Sequence, residues 1–217
     1  MLCDNCYLLR ETFATQRTLI LNMSFRHLDN IDEKIIDATI QIGSTNGANR
    51  LSTKEIAKLC GISEFVIYDH FRSKDNLISI ANHRIFEEVA LVISDTVSQG
   101  NGDFEVFWNR MVDWFLAHPN YTTWSIHYGH VFPRAEKPFD EEDFLVDFTR
   151  EARLIFKNSQ NQEDWKVCYF ALWILRNIIN FVQLILSKQL DNTPEMRSFS
   201  YATSYGGVKQ FWDKETR

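Results

Sequence analysis

Between residues 30 and 90 apolar positions recur every three or four residues in bursts, and polar turn residues interrupt them at short intervals. This pattern predicts four consecutive helices. Asp29 or Asn30 can cap the first, with Asp32 and Glu33 in its first turn. Ile35, Ile36, Thr39, Ile40 and Ile42 form its inward side, and Asn46-Gly47 ends it. The second opens on Ser52 and Glu55, spaced as a capping box in which each side chain reaches the other end's free N–H groups. Ile56 and Leu59 give it an apolar face. Gly61 follows, the residue best suited to a left-handed turn at a helix end. Ser63 can cap a third helix whose Val66, Ile67 and Phe71 point back at the second. Ser73 can cap a fourth, beginning near Asp75, which suits the positive end of a helix dipole. Two short helices joined by a glycine turn are the geometry of a helix-turn-helix, whose second helix can enter the major groove of DNA. The fourth helix, Lys74 to about Ser98, is too long for this small domain alone and reads as a connector.

Past residue 98 the apolar pattern is heavier. Gln99-Gly100-Asn101-Gly102-Asp103 is the clearest break. An amphipathic helix follows from Phe104 to Ala117, with Phe107, Met111, Phe115, Trp108 and Trp114 as inward candidates, and Pro119 ends it. A short helix over 121–132 carries Trp124, Tyr128, His127 and His130. After a charged loop at 133–143 come a helix at 144–156, a turn at 158–161 and the longest apolar helix, 163–190. Pro194 breaks that helix, and a last one occupies 195–213. The total is about nine helices and no convincing strand, an all-α fold. By length, Val167–Leu186 nearly spans a bilayer. Arg176, Asn180, Gln183 and Ser187, however, make a polar stripe along it, and no basic clusters flank it. The expectation is a helix buried or facing a second copy, with no membrane.

Composition adds the scale. A chain of 217 residues with 45% hydrophobic positions can bury a substantial core, and six Trp and seventeen Phe, most after residue 100, exceed what a three-helix domain can hide. The net charge of −6 is unevenly spread. Residues 31–85 balance seven Lys/Arg against seven Asp/Glu, residues 1–30 three against three, and the rest of the chain holds the whole acidic excess. A neutral DNA-reading head on an acidic body implies contact through one face and modest non-specific affinity, since that term comes from phosphate neutralisation. Four cysteines without regular spacing fit a reducing cytoplasm. Cys3 and Cys6 form a C-x-x-C with no second ligand pair, and His127 with His130 lacks a third ligand, so no metal and no cofactor is expected. No nucleophile–base pair, phosphate loop or metal set marks an enzyme. Residues 1–28 read as an extension, with translation expected to begin at Met23.

The order Thr53, Ile56, Ala57, Cys60, Gly61, Ile62, Ser63, then Ile67, Tyr68, His70, Phe71, Ser73, Lys74, Asp75, Leu77 resembles the TetR family of bacterial transcription repressors in spacing and type. The resemblance covers residues 29–89 and, beyond them, only length and helical style. It implies a helix-turn-helix DNA-binding domain at 29–89, with the motif at 52–71, and a helical ligand-sensing and dimerisation domain at 90–217. It implies that Thr53, Tyr68, His70 and Lys74 meet the DNA backbone, which sets register without reading sequence. Ser63, Glu64 and Phe65 then stand at the exposed start of the reading helix, where a Glu can accept from cytosine N4 and a ring can pack on a thymine methyl. Val66, lacking a hydroxyl, and Asp69, a carboxylate near phosphate, depart from the family pattern. They keep open an alternative, a helical interaction protein with a degenerate, non-DNA-binding motif. The resemblance further implies a homodimer through helices 163–190 and 195–213 on a palindromic double-stranded operator, and an unknown small-molecule effector. Trp108, Phe115, Trp124 and Tyr128 are candidates for its pocket, or plain core.

Overall fold

The computed structural model describes residues 30–46, 51–98, 103–129, 150, 152–153 and 163–215, and every regular element among them is helical. The helices are α1 (Asn30–Asn46), α2 (Thr53–Cys60), α3 (Glu64–Phe71), α4 (Lys74–Ser98), α5 (Phe104–Ala117), α6 (Pro119–Tyr128), α7 (Asp164–Leu186) and α8 (Pro194–Glu215). The expected extension at 1–28, the loop at 133–143 and His130 lie outside the described residues. So does most of the expected helix at 144–156, of which 150, 152 and 153 are helical.

The three short helices are set by their ends. Ser52 is extended (φ −115°, ψ 116°) and its Oγ accepts the Glu55 N–H at 3.4 Å, starting α2. Gly61 stops it at φ 71°, ψ 32°, a conformation that costs a residue with a Cβ. Ile62 N–H then returns to the Ala57 carbonyl at 3.0 Å, and Lys34 of α1 donates to the Cys60 carbonyl at 2.8 Å. The end carbonyls of Ala57 and Cys60 in α2 are thereby satisfied. At the other turn Arg72 holds φ 65°, unusual without glycine, because its N–H is tied to the Tyr68 carbonyl at 2.9 Å. Asn76 Nδ2 donates to the Phe71 carbonyl at 2.9 Å, completing the joint into α4.

One apolar core runs from head to body without a gap. Ile35, Ile56, Ile67 and Phe71 close the three short helices around Leu77 and Ala81 of α4. The same core continues through Trp108, Met111, Phe115 and Trp124 to Val167, Ile174 and Ile178 of α7. Helix α1 also packs along α6, where Gly43 lies against the Trp124 ring.

Several boundaries differ from expectation. Leu59 is 49% exposed, so the buried side of α2 is Thr53, Ile56, Ala57 and Cys60 instead. Pro119 opens α6, where its missing N–H has no helical partner to lose, so the helix begins two residues before Tyr121. Helix α7 ends at Leu186, where Lys188 turns left-handed (φ 59°) and Gln189 N–H caps the Leu184 carbonyl at 2.9 Å. Pro194 therefore does not break α7; it starts α8.

Candidate nucleic-acid interface and internal cavity

Helix α3 presents Phe65 to solvent at 75% exposure, with Ser63, Glu64, Tyr68, Asp69 and His70 also exposed around it. Ile67 and Phe71 on its other side are sunk in the core, so the orientation of the helix is set by packing. Ser63 holds the extended cap conformation (φ −83°, ψ 152°) but makes no side-chain cap bond. Charge around the motif is balanced: Lys54, Lys58, Arg72 and Lys74 face Glu55, Glu64, Asp69 and Asp75 in number.

The residues expected on the DNA backbone are each engaged within the fold. Thr53 is nearly buried, and its hydroxyl donates to Glu64 Oε1 at 2.7 Å, with Tyr68 Oη 3.4 Å away. That proton is committed to Glu64. The pair ties the start of α2 to the start of α3 and fixes one carboxylate oxygen of Glu64. His70 Nδ1 lies 2.6 Å from Asp32 Oδ1, which is largely buried in the first turn of α1. Only Nε2 of His70 is left for a phosphate. Lys74 Nζ donates to the Leu51 carbonyl at 3.3 Å, a long bond that leaves its other donors free.

Sequence reasoning missed Asp32 and Lys34, the two α1 side chains that hold the motif's far ends. Asp32 stands in the first turn of α1, and its partner His70 lies 38 positions away. No local signal discloses such a pairing.

A cavity of about 220 Å³ lies among α4, α5, α6 and α7. Its walls are mostly apolar, including Ile85, Phe86, Val89, Leu172 and Leu175, with Asn82, Ser125 and Arg176 as polar members. Of the four aromatic candidates, Phe115 lines it. Trp108 instead sits edge-on to Tyr201 in the core (6.2 Å), and Trp124 stacks on Tyr128 at 4.3 Å beneath Gly43. For these two the alternative of plain core applies, since both rings fill the joint between helices. Burial raises the pKa of the Tyr128 phenol. At the neighbouring seam, burial and then the Glu88 carboxylate push Tyr121 up to about 12, and its hydroxyl donates to Glu88 at 3.0 Å.

Among the described residues, an all-helical fold whose glycine-turned helical pair projects one exposed face, over a body holding a part-open cavity, has the form of a helix-turn-helix regulator. Residues 35–79 match the family model of bacterial regulatory proteins, tetR family. A curated HTH-type transcriptional regulator of Haemophilus influenzae is 26% identical over 99 residues, or 44% of this chain and 52% of that protein. The match thus spans about half the length of that relative. Solved structures extend the likeness over the fold. A TetR family regulator from Marinobacter aquaeolei superposes with TM-score 0.62 at 16% identity, covering 81% of this chain and 94% of its own. FadR of Bacillus subtilis, solved with stearoyl-CoA, gives 0.54 at 14%, covering 79% and 95%. Residues 35–79 thus resemble the helix-turn-helix of the TetR family, and the described chain has the fold of that family's solved members.

Proposed function

We propose that this protein is a cytoplasmic, ligand-responsive transcription repressor that binds a palindromic operator as a homodimer. The observation that carries it is the α3 face: Phe65 and Tyr68 stand exposed on a helix whose other side is locked in the core. An apolar ring at 75% exposure is costly to leave in water and suits a groove edge carrying a thymine methyl. Glu64, held by Thr53, presents its second oxygen as an acceptor for cytosine N4. Tyr68, Lys74, Ser63 and Nε2 of His70 are assigned to phosphates, and Asp69 to the same edge as a weakening charge.

The dimer is assigned to α7 and α8. Helix α7 buries Val167, Ile174 and Ile178 against its own body, yet Trp165, Tyr169 and Trp173 on the opposite side are 64%, 58% and 49% exposed, and Phe199 of α8 is 65% exposed. A symmetric pairing covers such a surface with a copy of itself. The same face accounts for the bilayer-like composition of α7 without a membrane. Residues 29–89 then act as the reading head and 90–217 as the sensing and pairing body. Relatives solved with stearoyl-CoA and with minocycline support an effector in the body.

Selection of bound fragments from random duplex DNA by the purified chain is the test. An enriched inverted repeat with half-sites about one DNA turn apart, or a multiple, is expected. No enrichment at moderate salt would retire the proposal in favour of an interaction protein with a degenerate motif.

A further inference from the structure

Among the described residues that line the 220 Å³ cavity the one cation is Arg176, which is also exposed to solvent on α7. Arg84 of α4 and, in the acidic body, Arg110, Arg153 and Arg197 each have a carboxylate partner: Glu88, Asp95, Asp164 and Asp113. Arg176 has none among the described residues. Its one bond is a long one, Nη1 to the Ser125 carbonyl at 3.4 Å, and Ser125 lines the same cavity. A guanidinium carries five donors in a flat fork, so most of its donors are unused. Beyond it the walls turn apolar, with Phe86, Phe115 and Leu172.

We infer that the cavity binds a small apolar monocarboxylate, its carboxylate on the Arg176 fork and its hydrocarbon against Phe86 and Phe115. The inference deepens the proposed function and rests on the body being a sensor. The fork matches a carboxylate two bonds at a time, which neither an amide nor an amine can do. Size narrows the class. An engineered apolar cavity of roughly 150 Å³ holds benzene, so 220 Å³ suits a ligand of about ten non-hydrogen atoms. A medium-chain acid such as octanoate or an aromatic acid such as phenylacetate fits within that volume.

Calorimetric titration of the full chain with octanoate, phenylacetate, their primary amides and octylamine tests this. At least one acid is expected to bind ten-fold or more tighter than its amide, with no binding of the amine. Arg176→Gln should bring the acid down to the level of the amide while leaving amide binding and the sedimentation profile unchanged, and Arg176→Lys should fall between. Equal affinity of acids and amides, no binding of any probe, or an acid preference that survives Arg176→Gln would overturn the assignment. Loss of self-association in Arg176→Gln would also overturn it, placing the residue in the pairing face. Titration of the selected operator complex separates the two proposals. Carboxylate binding by a chain that selects no DNA fails the repressor alone; operator binding released by neutral compounds, and not by acids, fails the carboxylate assignment alone.

Discussion

The indole N–H of Trp124 donates to the side-chain oxygen of Asn82 at 2.8 Å, and the nitrogen of the same amide donates to the Tyr128 carbonyl at 3.1 Å. Asn82 thus clamps α6 to α4 while also forming part of the cavity wall. Truncation in Asn82→Ala leaves the fully buried indole N–H without an acceptor. A loss of about 1–3 kcal/mol is expected in urea denaturation. In the same variant, an effector's influence on operator affinity should shrink, because the wall and the head-bearing helix no longer move together.

Gly43→Ala probes the other side of the Trp124 ring. An added Cβ would lie 2.6 Å from Trp124 Cε3, closer still to Cζ3, and 3.0 Å from Cε2 of the Tyr128 ring that stacks on it at 4.3 Å, so both rings of the stack would have to shift. Alanine improves helix propensity by about 0.5–1 kcal/mol, whereas overpacking a core typically costs about 1–3 kcal/mol. The net expectation is a lower melting temperature and weaker operator binding. A melting temperature above that of the parent chain would contradict this packing.

Thr53→Val keeps the side-chain shape and removes the proton given to Glu64. Stability should fall by about 0.5–1.5 kcal/mol, the usual net worth of one hydrogen bond. The selected operator should lose its preference at the position facing Glu64, because the carboxylate is no longer held. A loss that is uniform over all sequences, seen in binding curves on several operator variants, would instead mark Thr53 as a phosphate contact.

Asp69 is exposed on the edge of α3 assigned to DNA. Two like charges about 4 Å apart in water repel by roughly 1 kcal/mol. Asp69→Asn should therefore tighten operator binding about five-fold in a salt-matched titration. An unchanged or weaker constant would mean that the carboxylate lies away from phosphate.

Tyr121 gives a dependence on pH. Its phenol is pushed up to about 12 in the fold, first by burial and then by Glu88, against an ordinary value of 10. A group whose pKa is raised on folding lends its full contribution below the unfolded value, and that contribution drains away as pH climbs from about 10 to about 12. Denaturation midpoints at pH 9 and pH 11.5 should therefore differ less in Tyr121→Phe than in the parent chain. Equal pH slopes would show that the phenol ionises in the fold as it does in water.

Much of the architecture was legible because it is written locally. Ser52, Gly61 and Ser73 mark helix ends by chemistry that reaches only three residues, and the four head helices lie where those marks place them. Helix α4 from Lys74 to Ser98 and α5 from Phe104 to Ala117 were legible from spacing alone. What periodicity cannot convey is which partner meets a face. Leu59 keeps helical spacing yet points to solvent, and Trp108 and Trp124, open to either a pocket or the core in the aromatic pattern, serve as packing. The Asp32–His70 and Asn82–Trp124 bonds span 38 and 42 positions, beyond anything a local pattern encodes. Lys188 at the end of α7 is a similar case, since nothing in its residue type announces a left-handed turn.

The bare aromatic side of α7 also equips the chain with a built-in optical gauge. Trp165 and Trp173 lie in water in the single chain, while Trp108 and Trp124 are fully enclosed. Emission from the first pair should be red-shifted and open to collisional quenchers such as acrylamide, and that from the second pair should not. In the proposed dimer this face is covered, so the quenchable fraction is expected to rise by mass action on dilution, which would read subunit affinity without a label.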